Sequence, residues 1–385
     1  MKKLLLFIAL LATGSGYTQD FCTTPANSEH KELVLETYRD LDVSMYKFCV
    51  RIYIHVVRRD NGTGGQTVGN VNDALGYLDD AFNPYDIYFW WNNTINYIDN
   101  TTFFDTPGLL MPIDTYDHTD GVDIYLFDDS YTHPITGNGF GLASGIGEEP
   151  AKLLVAGSWN TGLVTIPLAR SHVLSHEMGH VLFLYHTHHG TVPEMGDPGQ
   201  CPECANGSNS AICGDYITDT PADPNMTYSM NVYCEWTGSG YDSCGFTLPG
   251  NPYNPDELNI MSYTDPYCMV YFTPKQAARM KKALAVIPHL QDLSSYTLTG
   301  DACPDGGPSL LFYPNPVDET LYLDLREKPY DTYTYQLYDL SGNLKLSGQC
   351  INELKALDVS GFNPGLHFLH FYEREEVIIK TLIVI

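Results

Sequence analysis

The stretch Ser175-His176-Glu177-Met178-Gly179-His180-Val181-Leu182-Phe183-Leu184-Tyr185-His186 governs how the whole chain is read. His176 and His180 are four apart, so a helix puts both imidazoles on one face, a turn apart. Two neutral imidazoles at that spacing can close on one metal ion. Glu177, one step round the helix, lies beside that ion as a carboxylate able to take a proton from a bound water. A third ligand is needed, and His186 follows ten residues after His176. On a straight helix it would lie roughly 15 Å further along the axis, out of reach. The helix must therefore end after His180 and the chain must turn back. Phe183 stands where a glycine would make that turn, and a bulky residue at positive φ is an outlier. Either the turn uses other dihedrals, or His186 is displaced and His188 or His189 competes for the metal. The alternative is a chance pattern on a buried helix.

The 385 residues suffice for two domains, and 43% hydrophobic content marks a globular chain. A net charge of −27 argues against nucleic acid and anionic membrane surfaces as partners. Residues 1–19 read as a signal peptide: a basic start at Lys2-Lys3, the apolar run Leu4 to Ala12, then small residues. No later apolar run is long enough to span a bilayer. Ten cysteines suit an exported, disulfide-permissive setting, and six of them lie between Cys201 and Cys268, straight after the histidines.

Residues 20–48 read as a short pro-segment with a helical patch, Glu29 to Leu41. In it the Cys22 thiolate could occupy an open metal position, unless Cys22 pairs with Cys49. Alternating apolar residues from Cys49 to Arg59, and runs at Ile87 to Trp91, Gly121 to Phe127, Gly141 to Ser144 and Leu153 to Ile166, predict strands. Val71 to Phe82 and Pro167 to Phe183 predict helices, the second carrying the metal motif. This order makes a mixed α/β domain with the metal helix beneath a sheet. Gly190 to Gly250 is a long polar loop, pinned and functional if it is ordered. Asp215, Asp219 and Asp223 in it could hold calcium with backbone carbonyls. Cys201-x-x-Cys204 lacks a matching second pair, which favours disulfides over structural zinc. Asn259-Ile260-Met261-Ser262-Tyr263 follows, then a closing helix, Phe272 to Ile287, capped by Thr273. Residues 299–308 read as a linker, and 309–385 as a small β-sandwich with turns at Ser341-Gly342-Asn343 and Asn363-Pro364-Gly365.

Taken together, His176-Glu177-Met178-Gly179-His180 with Leu184-Tyr185-His186, Gly214-Asp215, Asp219-Thr220-Pro221-Ala222, Asn259-Ile260-Met261-Ser262-Tyr263 with Cys268, and Phe272-Thr273-Pro274 resemble the pappalysin-like metzincin proteases. The resemblance covers roughly Cys49 to Leu290. It implies an α/β (α+β) metzincin-like catalytic domain over residues 49–298 and a secreted zinc endopeptidase acting on proteins or peptides. His176, His180 and His186 would be zinc ligands, Glu177 general base, and Tyr263 a stabiliser of the transition state. Met261 would form an apolar floor under the metal. Structural calcium is implied near Asp215, Asp219 and Thr220. The family's cysteine pattern implies Cys234–Cys268, and Cys244 bridged to one of Cys201, Cys204 or Cys213. Cys22-Thr23-Thr24 resembles the Cys-Gly-Thr pro-segment of relatives, which favours a zymogen switch. Members that cleave before basic residues carry an acidic residue where Pro266 stands, so a basic preference is not expected.

The tail resembles a second family. Phe312-Tyr313-Pro314-Asn315-Pro316, Tyr338-Asp339-Leu340-Ser341-Gly342, Gly365 and Lys380 are similar to the sorting domains of the type IX (Por) secretion system. That implies export through the periplasm, contact with outer-membrane machinery and a secreted or cell-surface destination, as a monomer. Substrate would add to the edge strand at Leu142 to Ser144 by main-chain pairing. Two rivals remain. One is a non-catalytic binding protein on a decayed protease fold, and the other a zinc hydrolase whose third ligand is Glu194.

Overall fold

The structure, a computed structural model, describes residues 22, 24–25, 41–134, 137–160, 164–191, 201–227, 229–240, 242, 244–245, 252–297, 303, 311–313, 317–325, 332–351, 353–373 and 376–384. The expected signal peptide, the helical patch at 29–40, Glu194 and all of the 299–308 linker but Cys303 lie outside them.

The organising element is β1 (Lys47–Arg58), a twelve-residue strand. After it come α1 (Val68–Phe82), β2 (Ile87–Trp90), β3 (Ile95–Asp99), the short α2 (Thr101–Asp105), β4 (Val122–Leu126), β5 (Phe140–Ala143) and β6 (Lys152–Ala156). β1 pairs in parallel with β2 at one end and with β3 and β4 at the other. β6 lies parallel to β4, and β5 closes that edge antiparallel to β6. Alternation along β1 divides its side chains between two environments. Ile52, Ile54 and Val56 join Val122, Ile124, Leu126, Leu153 and Val155 in the main core, under the helices. Val57 packs on the opposite side with Ile98, Phe104, Tyr125 and Phe127.

β7 (Ser158–Asn160) and β8 (Thr165–Pro167) form a hairpin leading into α3 (His172–Val181). The expected helix from Pro167 is therefore shorter. Leu168–Arg170 is a 3₁₀ turn, and the Ser171 side chain accepts from the Val173 N–H as N-cap. Every residue of α3 from Val173 to Val181 is buried, as befits a helix enclosed on all sides. The expected strand from Leu153 to Ile166 is likewise broken, into β6 and the hairpin. α4 (Pro274–Val286) starts with a complete capping box between Thr273 and Gln276, with Pro274 in its first turn. α5 (Pro288–Asp292) turns the chain into β9 (Ser294–Thr297), which pairs antiparallel with β1.

The C-terminal part holds β10 (Leu311–Tyr313), β11 (Thr320–Asp324), β12 (Tyr333–Asp339), β13 (Leu344–Cys350), β14 (Leu354–Asp358), β15 (Gly365–Glu373) and β16 (Glu376–Val384). They form a three-stranded sheet, β10-β11-β14, and a four-stranded antiparallel run, β13-β12-β15-β16. Leu321, Leu323, Leu337, Leu369, Phe371 and Leu382 fill a second core between them. The expected sandwich is present, with an addition: β16 meets β9 at Ile379 and Tyr296, so its sheet runs on into the one built on β1.

Four disulfides staple the chain. Cys234–Cys268 is the pairing implied by resemblance, Cys244 takes Cys204, and Cys201 takes Cys213. Cys49 bridges to Cys303, not to Cys22, and closes a loop with a sequence separation of 254. Cys22 and Cys350 are free and buried. A bridge over so long a loop strongly restricts the unfolded chain. The Cys49→Ala/Cys303→Ala double variant should lose about 2–5 kcal/mol of stability. A urea midpoint followed by far-UV circular dichroism checks this, and an unchanged midpoint would refute it.

Candidate metal centre

α3 delivers His176 and His180 to one point, and the turn after it returns His186 to the same point. The Nε2 atoms of His176 and His186 lie 3.1 and 3.0 Å from His180 Nε2. His176 Nδ1 is 2.6 Å from the Ile260 carbonyl, and His180 Nδ1 is 2.8 Å from that of Leu184. A carbonyl only accepts, so both Nδ1 atoms carry the proton, and neutral rings then present lone pairs at Nε2. Lone pairs converging at this distance repel unless a cation lies between them. The donor set therefore fits zinc, which takes imidazole nitrogen at ~2.0–2.1 Å in a tetrahedral shell.

Cys22, far off in sequence, is the residue expected to reach this point. The Cys22 sulfur joins the three histidines in one buried cluster, its ligand atoms all within 4.8 Å of one another. It lies 3.5 Å from His180 Nε2 and 3.6 Å from Glu177 Oε2. Its backbone forms a parallel bridge with Gly141 on β5. Ala143 N–H donates to Thr24 Oγ1, and Thr24 Oγ1 donates to Glu177 Oε2 at 2.8 Å. The Tyr263 hydroxyl donates to the Cys22 carbonyl at 2.8 Å. Cys22 and Thr24 thus lie along the β5 edge and between them touch Glu177, Tyr263 and the histidines. Burial pushes Glu177 up to about 8. Burial, then the Glu177 charge, pushes the Cys22 thiol up as well.

Two glycines make the approaches possible. A Cβ on Gly141 would lie 2.3 Å from Glu177 Oε1, and one on Gly179 would lie 2.5 Å from the sulfur of Met261. Met261 is fully buried in the main core beside α3, as expected of a floor residue. Its own turn is held by Asn259, whose side chain accepts from Met261 N–H, and by Thr187 N–H donating to the Met261 carbonyl.

Phe183 resolves the question of the turn: it adopts φ 81° itself, and His186 is not displaced. Arg279 on α4 holds this conformation. Its Nε donates to the Phe183 carbonyl at 2.8 Å, and its guanidinium lies 5.0 Å from the Phe183 ring and 5.5 Å from that of Tyr185. His188 stacks on His186 and packs against Tyr263, outside the metal cluster.

The carboxylates expected at calcium separate. Asp219 accepts from Thr273 Oγ1 and Lys275 N–H, so it is committed to the start of α4. Asp215 is fully buried, with Oδ1 accepting from Ile217 N–H and from the Thr220 hydroxyl. Its Oδ2, like Oε2 of Glu203, is buried without a hydrogen-bond partner among the described residues. Burial pushes Asp215 up, and Glu203 adds to it.

Residues 114–285 match the peptidase family described as pregnancy-associated plasma protein-A, and residues 311–385 match the secretion system C-terminal sorting domain. Residues 114–285 are thus similar to pappalysin-like peptidase domains, and residues 311–385 to secretion sorting domains. Human pappalysin-1 is 37% identical over 113 residues, which are 29% of this chain and 6% of that protein. Mouse pappalysin-1 is 36% identical over 124 residues, 31% of this chain and 7% of that protein. The chain thus spans a small fraction of the pappalysins it matches. An extracellular metalloprotease of Colletotrichum graminicola (strain M1.001 / M2 / FGSC 10212) is 24% identical over 306 residues, 72% of this chain and 95% of that protein. Among the described residues no helix is long and apolar enough to cross a membrane.

The left-handed Phe183 yields a test whose sign runs against habit. Both Phe183→Ala and Phe183→Gly lose the buried ring, at about 3–5 kcal/mol. Only glycine escapes the left-handed penalty of roughly 1–2 kcal/mol, so Phe183→Gly should be the more stable of the two by about 1 kcal/mol. Urea denaturation of both variants decides it, and an alanine variant equal or superior would contradict a left-handed turn.

Proposed function

We propose that the chain is a secreted zinc-dependent endopeptidase, kept latent by its own N-terminal segment. The observation that carries this reading is the single buried cluster of His176, His180, His186 and Cys22, with Glu177 alongside. His176, His180 and His186 would hold zinc, which when bound acidifies water and polarises a carbonyl. Glu177 takes the proton of the attacking water and returns it to the leaving amine. Tyr263 donates to the oxyanion; it already donates to a backbone carbonyl, that of Cys22. An extended substrate pairs with the β5 edge at Gly141 and Ala143, where Cys22 and Thr24 now lie.

The sorting domain would hand the protein from the periplasm to outer-membrane secretion machinery. The reading as a decayed, non-catalytic fold rested on Phe183, and loses that support when Phe183 makes the turn and His186 reaches His180. Calcium, if it binds, would sit at Asp215 and Glu203, whose buried oxygens lack partners among the described residues, and not at Asp219.

Four proteins test this: the chain from Cys49 onward, the same chain with Glu177→Ala or Tyr263→Phe, and the longer chain with Cys22→Ser. Glu177→Ala should lower kcat on a protein substrate by about 10²–10⁴ with zinc retained. Tyr263→Phe should lower it by about 10²–10³ with KM little changed. Cys22→Ser should raise the activity of the chain that still bears residues 20–48. Zinc bound but no cleavage by the chain lacking that segment would sink the enzyme reading and favour a binding role.

A further inference from the structure

We propose that His55, His118 and Asp123 form a second metal site, for a divalent cation of the zinc class, on the face of the sheet turned away from α3. The three side chains come from β1, from the connection between α2 and β4, and from β4, and their ligand atoms lie within 4.8 Å of one another. His55 Nε2 and His118 Nδ1 are each 2.7 Å from Asp123 Oδ1. His118 N–H donates to Asp123 Oδ2 at 2.6 Å, which fixes the carboxylate plane. His55 and Asp123 are fully buried, whereas the His118 side chain is 39% exposed, giving an ion and its water ligands a way in.

Charge is the first reason for a cation. A buried carboxylate needs a positive partner. The nearby cations already face other acids: Arg51 donates to Asp120 at 2.8 Å and Lys152 to Asp117 at 2.6 Å. What faces Asp123 is two imidazoles, a mixed nitrogen and oxygen donor set suited to zinc.

The second reason is the support behind each ligand. Asn96 lies 2.9 Å from His55 Nδ1. The amide presents its Nδ2–H to that atom, so Nε2 carries the His55 proton onto Asp123 Oδ1; an ion would displace that proton and turn the amide over, its oxygen then accepting from Nδ1–H. Tyr53 stacks on the His118 ring with centroids 3.5 Å apart and planes 8° apart, and its hydroxyl donates to Asp120. The His55 ring is stacked against Tyr125. Ligands on a tetrahedral zinc stand roughly 3.3 Å apart, so closing on an ion asks both imidazoles, each 2.7 Å from Asp123 Oδ1, to draw back by about half an ångström, His118 as a loop residue and His55 by a side-chain rotation. His118 sits on an irregular connection that can supply that movement. Bound there, the ion would pin this connection to the back of β1 and β4.

Metal counting tests the site. The tag-free full chain and its His118→Ala, Asp123→Asn and His186→Ala variants are saturated with zinc, desalted and measured by plasma emission. The wild-type chain should hold one more ion than His118→Ala, and Asp123→Asn should lose the same ion. Either of these variants retaining the wild-type count overturns the proposal. His186→Ala reports separately on the proposed catalytic centre, so failure of that reading leaves the difference made by His118→Ala intact. The ion that His118→Ala keeps shows that this variant has folded.

Discussion

Two imidazole nitrogens held 3.0 and 3.1 Å from a third form an arrangement that no folding force favours by itself. Converging lone pairs repel, and three buried rings give up their contact with water. The surrounding structure exists to enforce that convergence. The carbonyls of Ile260 and Leu184 fix two ring tautomers from outside α3. One carbonyl belongs to the methionine turn and the other to the chain just past Phe183. The site is thus closed by two segments that are distant in sequence, each fixing one of the two α3 imidazoles.

The Phe183 turn shows how that constraint spreads. A left-handed phenylalanine is disfavoured on its own. It persists because its ring is buried, its carbonyl is taken by Arg279, and the guanidinium lies on the faces of Phe183 and Tyr185. A glycine would make the turn without help but would take from Arg279 the nearest of the three rings it lies over, leaving Tyr185 and Tyr216. The two residues are one solution, and replacing either alone leaves the other wrong. α4 therefore does more than close the domain. Its first turn is tied to the long loop by Asp219, and its second turn to the Phe183 turn after α3 by Arg279.

Much of this was legible in sequence, and the parts that were not share a cause. Spacing gave the two helical ligands, the need for a reversal, and His186, because a helix has a fixed rise. Alternation gave β1, β4 and the sandwich strands. Thr273 and Pro274 gave the start of α4, because capping is local chemistry. Arg279, Thr24, Gly141 and Glu203 carried no local signal, since each matters through a partner far along the chain. The Cys49–Cys303 bridge stayed hidden for the same reason, as cysteine spacing does not encode pairing across so long a separation. β3 and β9 are short, and their pairing depends on β1 more than on their own composition. The over-long helix from Pro167 has a local explanation: Ser171 was available as an N-cap, and the periodicity hid it.

Strand β1 finally joins the two halves of the molecule's chemistry. Its alternation sends Ile52, Ile54 and Val56 under the metal helix and turns Tyr53 and His55 to the other side, where Asp123 waits on β4. A one-residue slip of β1 against β4 would exchange the two sets, placing an imidazole and a phenol in the apolar core and stranding Asp123 without a partner. The polar network on the back of the sheet and the apolar floor of the active site therefore specify the same register from opposite faces. Anything that tightens the His55, His118 and Asp123 cluster also fixes the register on which the core beneath α3 depends. That coupling acts through the strand itself and requires no movement between the two sites.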